Sequence, residues 1–362
     1  MAASERMLGQ QGAMSPEEVD IVVSDLHLSA GERLRIRPRF SLGAAFRRIL
    51  RRSHAADQSF LDRENKLEDF PYDDAFSRML DRVREQYGTV PRIRLRLMGD
   101  CFDPLVIPWK GKFSDPPYEA IAARKMQHIL KGHRAFFAAL ARFIRTPNGY
   151  LDIFVGNHDV FLVWPGVQRQ IARWLAGNNE ALRKKIRFID QHKRFEDFHR
   201  GVLFYHGMNA DAHNAVDPER VILRERLGVK RKIPVHNMPY GSYMVVDLVN
   251  RIKLRNPLVG RLRGREMWKT AAIHMWSWGI YAGFAMMLTF LRSHLFAISD
   301  IRRTRSVRQF FRMVYETCID GSPERVDRMA EHILEDRPDV RVVVLGHSHA
   351  WRRISTPKGT YL

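Results

Sequence analysis

Ile21-Val22-Val23-Ser24-Asp25-Leu26-His27 is an apolar run of strand length that ends abruptly in a carboxylate and an imidazole. Similar runs stand at Leu95-Arg96-Leu97-Met98, Ile153-Phe154-Val155, Val202-Leu203-Phe204-Tyr205 and Val342-Val343-Val344-Leu345. Each is short, rich in β-forming residues and closed by Gly or a polar residue, as buried strands are. Helical patterns lie between them. Apolar residues recur at helical spacing from Glu119 to Ile144, with Asn148-Gly149 as the stop. Ser322-Pro323 opens another helix, Ser at the cap and Pro in the first turn, running to about Glu335. Strands alternating with helices predict a layered α/β fold.

The residues that close these runs are chemically uniform. Asp25-Leu26-His27 closes the first, Gly99-Asp100-Cys101-Phe102-Asp103 the second and Gly156-Asn157-His158-Asp159 the third. His206-Gly207 closes the fourth and Gly346-His347-Ser348-His349 the fifth. In open α/β sheets, ligands gather at the carboxyl ends of the strands. Five ends therefore deliver carboxylates, an amide and imidazoles to one place. A lone D-x-H or H-x-H says little, and histidines outside the motifs, such as His128, His133 and His274, read as ordinary hydrogen-bonded side chains. That bland reading does not produce the same chemistry at five successive strand ends. Mixed oxygen and imidazole donors suit manganese, iron or zinc.

In this order the motifs resemble those of the calcineurin-like metallophosphoesterases: D-x-H, G-D-x-x-D, G-N-H-D, H and G-H-x-H, spanning Asp25 to His349. The resemblance implies two packed β-sheets flanked by helices, with a binuclear metal centre that hydrolyses phosphate esters or pyrophosphates. It makes Asp25, His27 and His349 ligands of one divalent ion and Asn157, His206 and His347 ligands of the other, with manganese foremost. Asp100 would bridge them, an anion offsetting the repulsion of two cations roughly 3.5–4 Å apart. It makes His158 the general acid at the leaving oxygen. Asp159 would orient that imidazole, and Asp103 would support the site from outside the ligand set.

The chain of 362 residues carries 60 Lys+Arg against 40 Asp+Glu, a net charge of +20. Such a surface attracts phosphorylated substrates, anionic lipid or nucleic acid, although dispersed arginines also suit ordinary solvated faces. Two cysteines, Cys101 and Cys318, cannot form a disulfide framework. The polar stretch from Met1 to Asp20 lacks the apolar centre of a secretory signal, so a cytoplasmic location is expected. Residues 1–20 read as a tail and 21–210 as the first part of the core, with a basic and then polar insertion at 33–69. Residues 211–322 are far longer than an ordinary connection and read as an inserted basic and apolar cap. The last part of the core, 323–362, is expected to lack the final strands that come after G-H-x-H in the family it resembles.

Thr270 to Leu291 contains no Asp, Glu, Lys or Arg and is long enough to cross a bilayer. One crossing would divide the metal ligands between two sides, so the segment is expected within the cap or against one membrane face. Trp276, Trp278 and Tyr281, flanked by Arg261, Arg263, Arg265, Lys269 and Arg292, suit an anionic interface. A basic, apolar lid beside such a centre suggests a substrate with both phosphate and acyl chains. In that respect the chain is similar to UDP-2,3-diacylglucosamine pyrophosphatases, which generally carry Arg where this chain has His158. Asp211 and Asn214, in the polar stretch after His206, are expected to support the site. A nuclease of the same superfamily and a non-enzymatic scaffold are the competing readings. No zinc knuckle or recognition helix favours the nuclease, and the complete ligand set disfavours the scaffold.

Overall fold

Two β-sheets carry the five motif strands in this computed structural model, which describes residues 16–36, 61–109, 113, 118–190, 195–226, 229–254 and 322–362. In chain order the strands begin with β1 (Glu18–Val23), β2 (Arg33–Ile36), β3 (Leu61–Glu64), β4 (Arg92–Met98), β5 (Gly149–Phe154) and β6 (Ile186–Ile189). They continue with β7 (Glu196–His199), β8 (Val202–Tyr205), β9 (Ile222–Arg226), β10 (Val229–His236), β11 (Val342–Leu345), β12 (Ile354–Thr356) and β13 (Gly359–Tyr361). The first sheet is parallel, in the order β1-β4-β5-β6. The second is mixed, in the order β12-β13-β11-β8-β7, with β8 and β11 parallel at its centre. The chain is α/β, as its alternating pattern predicts.

Strand β4 explains how the sheets are layered. Its sequence alternates, Arg92-Ile93-Arg94-Leu95-Arg96-Leu97-Met98. Successive side chains of a strand point to opposite faces. Ile93, Leu95 and Leu97 enter a large apolar core with helices α1 (Asp73–Tyr87), α2 (Glu119–Gly132), α3 (Arg134–Arg145) and α4 (Pro165–Ala176). The opposite face meets the second sheet. There Met98, Phe154 and Ile189 pack on Phe204 and Val344.

Further from the strand ends, that same junction is ionic. Arg96 is fully buried and donates to Asp20 (2.7 Å), Asp152 (3.0 Å) and, across to the second sheet, Asp197 (2.7 Å). Its guanidinium lies 3.8 Å from the centre of the Phe204 ring. Arg94 and Arg187 also donate to Asp152. Three guanidiniums on one buried carboxylate are tolerable only because Glu18, Asp20 and Asp197 share their charge.

The single helix expected from Glu119 to Ile144 is two, broken at His133. The buried His133 ring reaches Asp73 (2.8 Å) and Glu68 (3.2 Å) with its two nitrogens, which turns the chain at that point. Two carboxylate partners require both nitrogens to donate. Burial opposes the charge, but Asp73 and Glu68 outweigh it and raise the His133 pKa to about 9. Glu68 also accepts from Ser29 and Gly31, so this break braces the segment just after His27. Gly132 sits so close that a Cβ there would lie 2.2 Å from the Ala30 carbonyl oxygen.

Within the expected insertion, β2 and β3 pair antiparallel. Within the expected cap, β9 and β10 pair antiparallel, and residues 240–253 are helical and lie against the core loops. Met238 and Val246 cover Leu105, Asn250 donates to the Leu105 carbonyl (2.9 Å) and Lys253 pairs with Asp69. Helix α5 (Ser322–Asp336) packs Ala330 and Leu334 on the second sheet. Two short strands, β12 and β13, come after the last motif, and Tyr361 enters the core with Leu203 and Val343. No helix among the described residues is long and apolar enough to cross a membrane. The apolar segment 270–291, its flanking arginines and Cys318 lie outside the described residues.

Candidate metal centre

Asp25 and His27 leave the end of β1, Asp100 leaves β4, Asn157 lies beyond β5, His206 ends β8, and His347 and His349 lie beyond β11. Five of these seven adopt left-handed backbone: Asp25 (φ 56°), His27 (53°), Asp100 (49°), His347 (70°) and His349 (51°). Among the described residues only Phe195 and Arg200 share that property without being glycine. Left-handed geometry costs an L-residue roughly 1–2 kcal/mol. Its concentration at strand ends is what turns alternate side chains inward, and strain of this kind gathers at functional sites. The turns are held by their neighbours. His27 N–H donates to Asp100 O (2.9 Å), Leu28 N–H to Cys101 O (3.0 Å) and Asp103 N–H to Leu28 O (2.7 Å). Gly156 is required by close approach, because a Cβ there would lie 2.2 Å from Asp100 Oδ1.

Three overlapping groups of ligand atoms each fit within 4.8 Å: Asp25, His27 and His349; His27, Asp100 and His158; Asp100, His206 and His347. His206 donates from Nδ1 to the Met98 carbonyl (2.8 Å), which leaves Nε2 beside Asn157 Oδ1 (3.3 Å) and Asp100 Oδ2 (3.4 Å). The His27 and His349 rings stack at 5.2 Å, and His349 Nε2 lies 3.5 Å from Asp25 Oδ1. Asp25 Oδ1 and His27 Nε2 are buried without a hydrogen bond to any of the described residues. A buried polar atom left in that state is costly, and a cation between them would satisfy both. The donor set therefore fits divalent metal.

His158 is held differently from the expectation. Asp103, not Asp159, orients it: Asp103 Oδ2 lies 2.9 Å from His158 Nδ1 and 3.5 Å from His27 Nδ1. Both oxygens of Asp159 are occupied by main chain, accepting from Gly156 (2.6 Å), Cys101 (2.9 Å) and Phe102 (3.2 Å). Asp159 thus ties the β5 loop to the β4 loop and acts on His158 only through its charge. Burial opposes protonation of His158, but Asp103 and Asp100 raise its pKa to about 9. Burial likewise opposes ionisation of Asp103, yet the facing His158 and His27 hold its carboxyl far below the usual range.

No protein-family model, curated protein or solved structure matches this chain.

Two further participants lie outside the five motifs. Asp211 is fully buried, with Oδ2 2.8 Å from His347 Nε2, whereas the Asn214 side chain lies against Gly241. Ser242 donates to the Asn157 main-chain carbonyl (3.1 Å), and it comes from the segment read as a separate cap. A serine in a turn has no spacing that would announce such a role.

Proposed function

We propose that this chain is a hydrolase that cleaves a phosphate ester or pyrophosphate with water, using two divalent metal ions, manganese foremost. The carrying observation is the convergence of Asp25, His27, Asp100, Asn157, His206, His347 and His349 beside the His158–Asp103 pair. In this reading Asp25, His27 and His349 hold one ion, Asn157, His206 and His347 hold the other, and Asp100 holds both. This is the arrangement of the calcineurin-like metallophosphoesterases, whose packed two-sheet layering we also infer here. Two ions bound there supply Lewis acidity to the phosphoryl group and to the attacking water.

The chain's own residues supply the rest. Asp103 occupies Nδ1 of His158, so Nε2 carries the proton that the leaving oxygen takes. A guanidinium at this position would not release a proton, so His158 argues against a UDP-2,3-diacylglucosamine pyrophosphatase proper. The +20 charge and the apolar segment 270–291 favour a phosphorylated, lipid-linked substrate met in the cytoplasm at an anionic membrane face.

A manganese-supplemented screen of phosphomonoesters, phosphodiesters, nucleotide-diphosphate lipids and oligonucleotides tests the reading. Hydrolysis of one class is expected, and none at all overturns it. Within that assay His158→Ala should retain both ions and lose turnover by about 10²–10⁴-fold. Unchanged turnover removes His158 from the acid role.

A further inference from the structure

We infer that Asp211 is a positioning residue that fixes His347 in the tautomer presenting Nδ1 to the second metal ion, with Arg325 anchoring the carboxylate. The inference rests on the two-metal reading above. Asp211 lies five residues beyond His206, after the short turn Met208–Ala210. It is fully buried, and its main-chain carbonyl accepts from Asn214 and Ala215 (2.9 Å each), so its own position is fixed. Its Oδ2 lies 2.8 Å from His347 Nε2, and Oδ1 lies 2.5 Å from Nε of Arg325 in the first turn of α5.

An ionised carboxylate can only accept, so a His347 ring with a single proton carries it on Nε2 and keeps its lone pair on Nδ1. His206 is held in the opposite sense, with Nδ1 facing the Met98 carbonyl and Nε2 turned towards Asn157 and Asp100. The second ion would thus be approached by one nitrogen of each kind. The His347 main chain is held too, donating to Asp25 Oδ2 at 3.0 Å. Partners that orient a ligating histidine are typically worth roughly 10–100-fold in metal affinity.

Long-range ¹H–¹⁵N spectra of the full-length, metal-free protein at about pH 8 test the tautomer without any substitution of Asp211. The His347 signals are assigned by their loss in His347→Gln. Protonation of Nε2 is expected, and a ring whose single proton sits on Nδ1 overturns the inference. Manganese titration of wild type and Asp211→Asn then reads affinity directly. The variant should bind one ion as wild type does and the second about 10–100-fold more weakly, with Asp211→Glu recovering part of the loss. Equal affinity at both sites, or fewer than two sites in wild type, overturns it. Neither measurement involves a substrate. A wild type that binds two ions and hydrolyses nothing defeats the phosphoesterase reading while leaving the Asp211 inference standing.

Discussion

At the scale of single residues, the cost of the site is written in the backbone. Asp25, His27, Asp100, His347 and His349 all stand at positive φ, where glycine alone is relaxed. His349, whose side chain is 46 % exposed, separates this strain from core packing. In metal-free buffer His349→Gly should be more stable than His349→Ala by about 1 kcal/mol, read from paired urea denaturation curves. Equal midpoints would mean that residue 349 is not held left-handed. The ligating types were legible in the sequence because each comes directly after an apolar run. The partners of His158 were not: Asp159 is its neighbour in sequence, but Asp103, 55 positions away, is its neighbour in space. A short motif gives order along the chain, and it leaves open which way a carboxylate points.

Secondary-structure elements carry the next set of consequences. The break between α2 and α3 depends on His133 being charged between Glu68 and Asp73. Its pKa in the folded protein, about 9, lies above the ordinary 6.5. Stability from this group is therefore fully present below pH 6.5 and is lost as pH rises through about 9. Its upper bound is about 3 kcal/mol, from 1.36 kcal/mol per pKa unit. Unfolding of wild type and His133→Gln at pH 6, 8 and 10 should give a gap that narrows steadily and closes near pH 10. A gap independent of pH would show that His133 acts by shape alone. Lys131-Gly132 is a stop signal in the sequence, but the partners that hold His133 there lie some 60 residues upstream. Strand β4 is a comparable case. Its alternation of arginine with aliphatic residues is visible in the sequence, but the burial of Arg96 emerges only once Asp20, Asp152 and Asp197 surround it. Asp152→Ala leaves buried guanidiniums short of a partner and should cost about 3–5 kcal/mol, measured by equilibrium unfolding.

Taken whole, the molecule draws its candidate ligands from two sheets. Asp25, Asp100 and Asn157 belong to ends of the first, and His206, His347 and His349 to ends of the second. Metal bound by both would resist their separation. Manganese at about 100-fold its Kd should add about 2.7 kcal/mol to unfolding by mass action. The melting temperature should rise accordingly over that in chelator, and the rise should vanish in an Asp100→Ala variant. An identical melting temperature with and without metal would contradict this. The α/β alternation and the strand ends were readable from residues 21–210 and the last forty or so. The placement of 236–254 over the core loops was not, because its anchors are single side chains, Ser242, Asn250 and Lys253, without periodicity.

Gly132 touches no candidate ligand, yet the Ala30 carbonyl leaves its α-carbon no room for a methyl group. In a saturation-mutagenesis selection for activity, position 132 should therefore tolerate almost nothing, and its losses would be mistaken for lesions of the active site. Second-site suppressors would be expected at residues 28–31, where the chain leaves His27, rather than among the ligands themselves. The genetic map of the centre would then extend to the end of a helix that has no part in the chemistry.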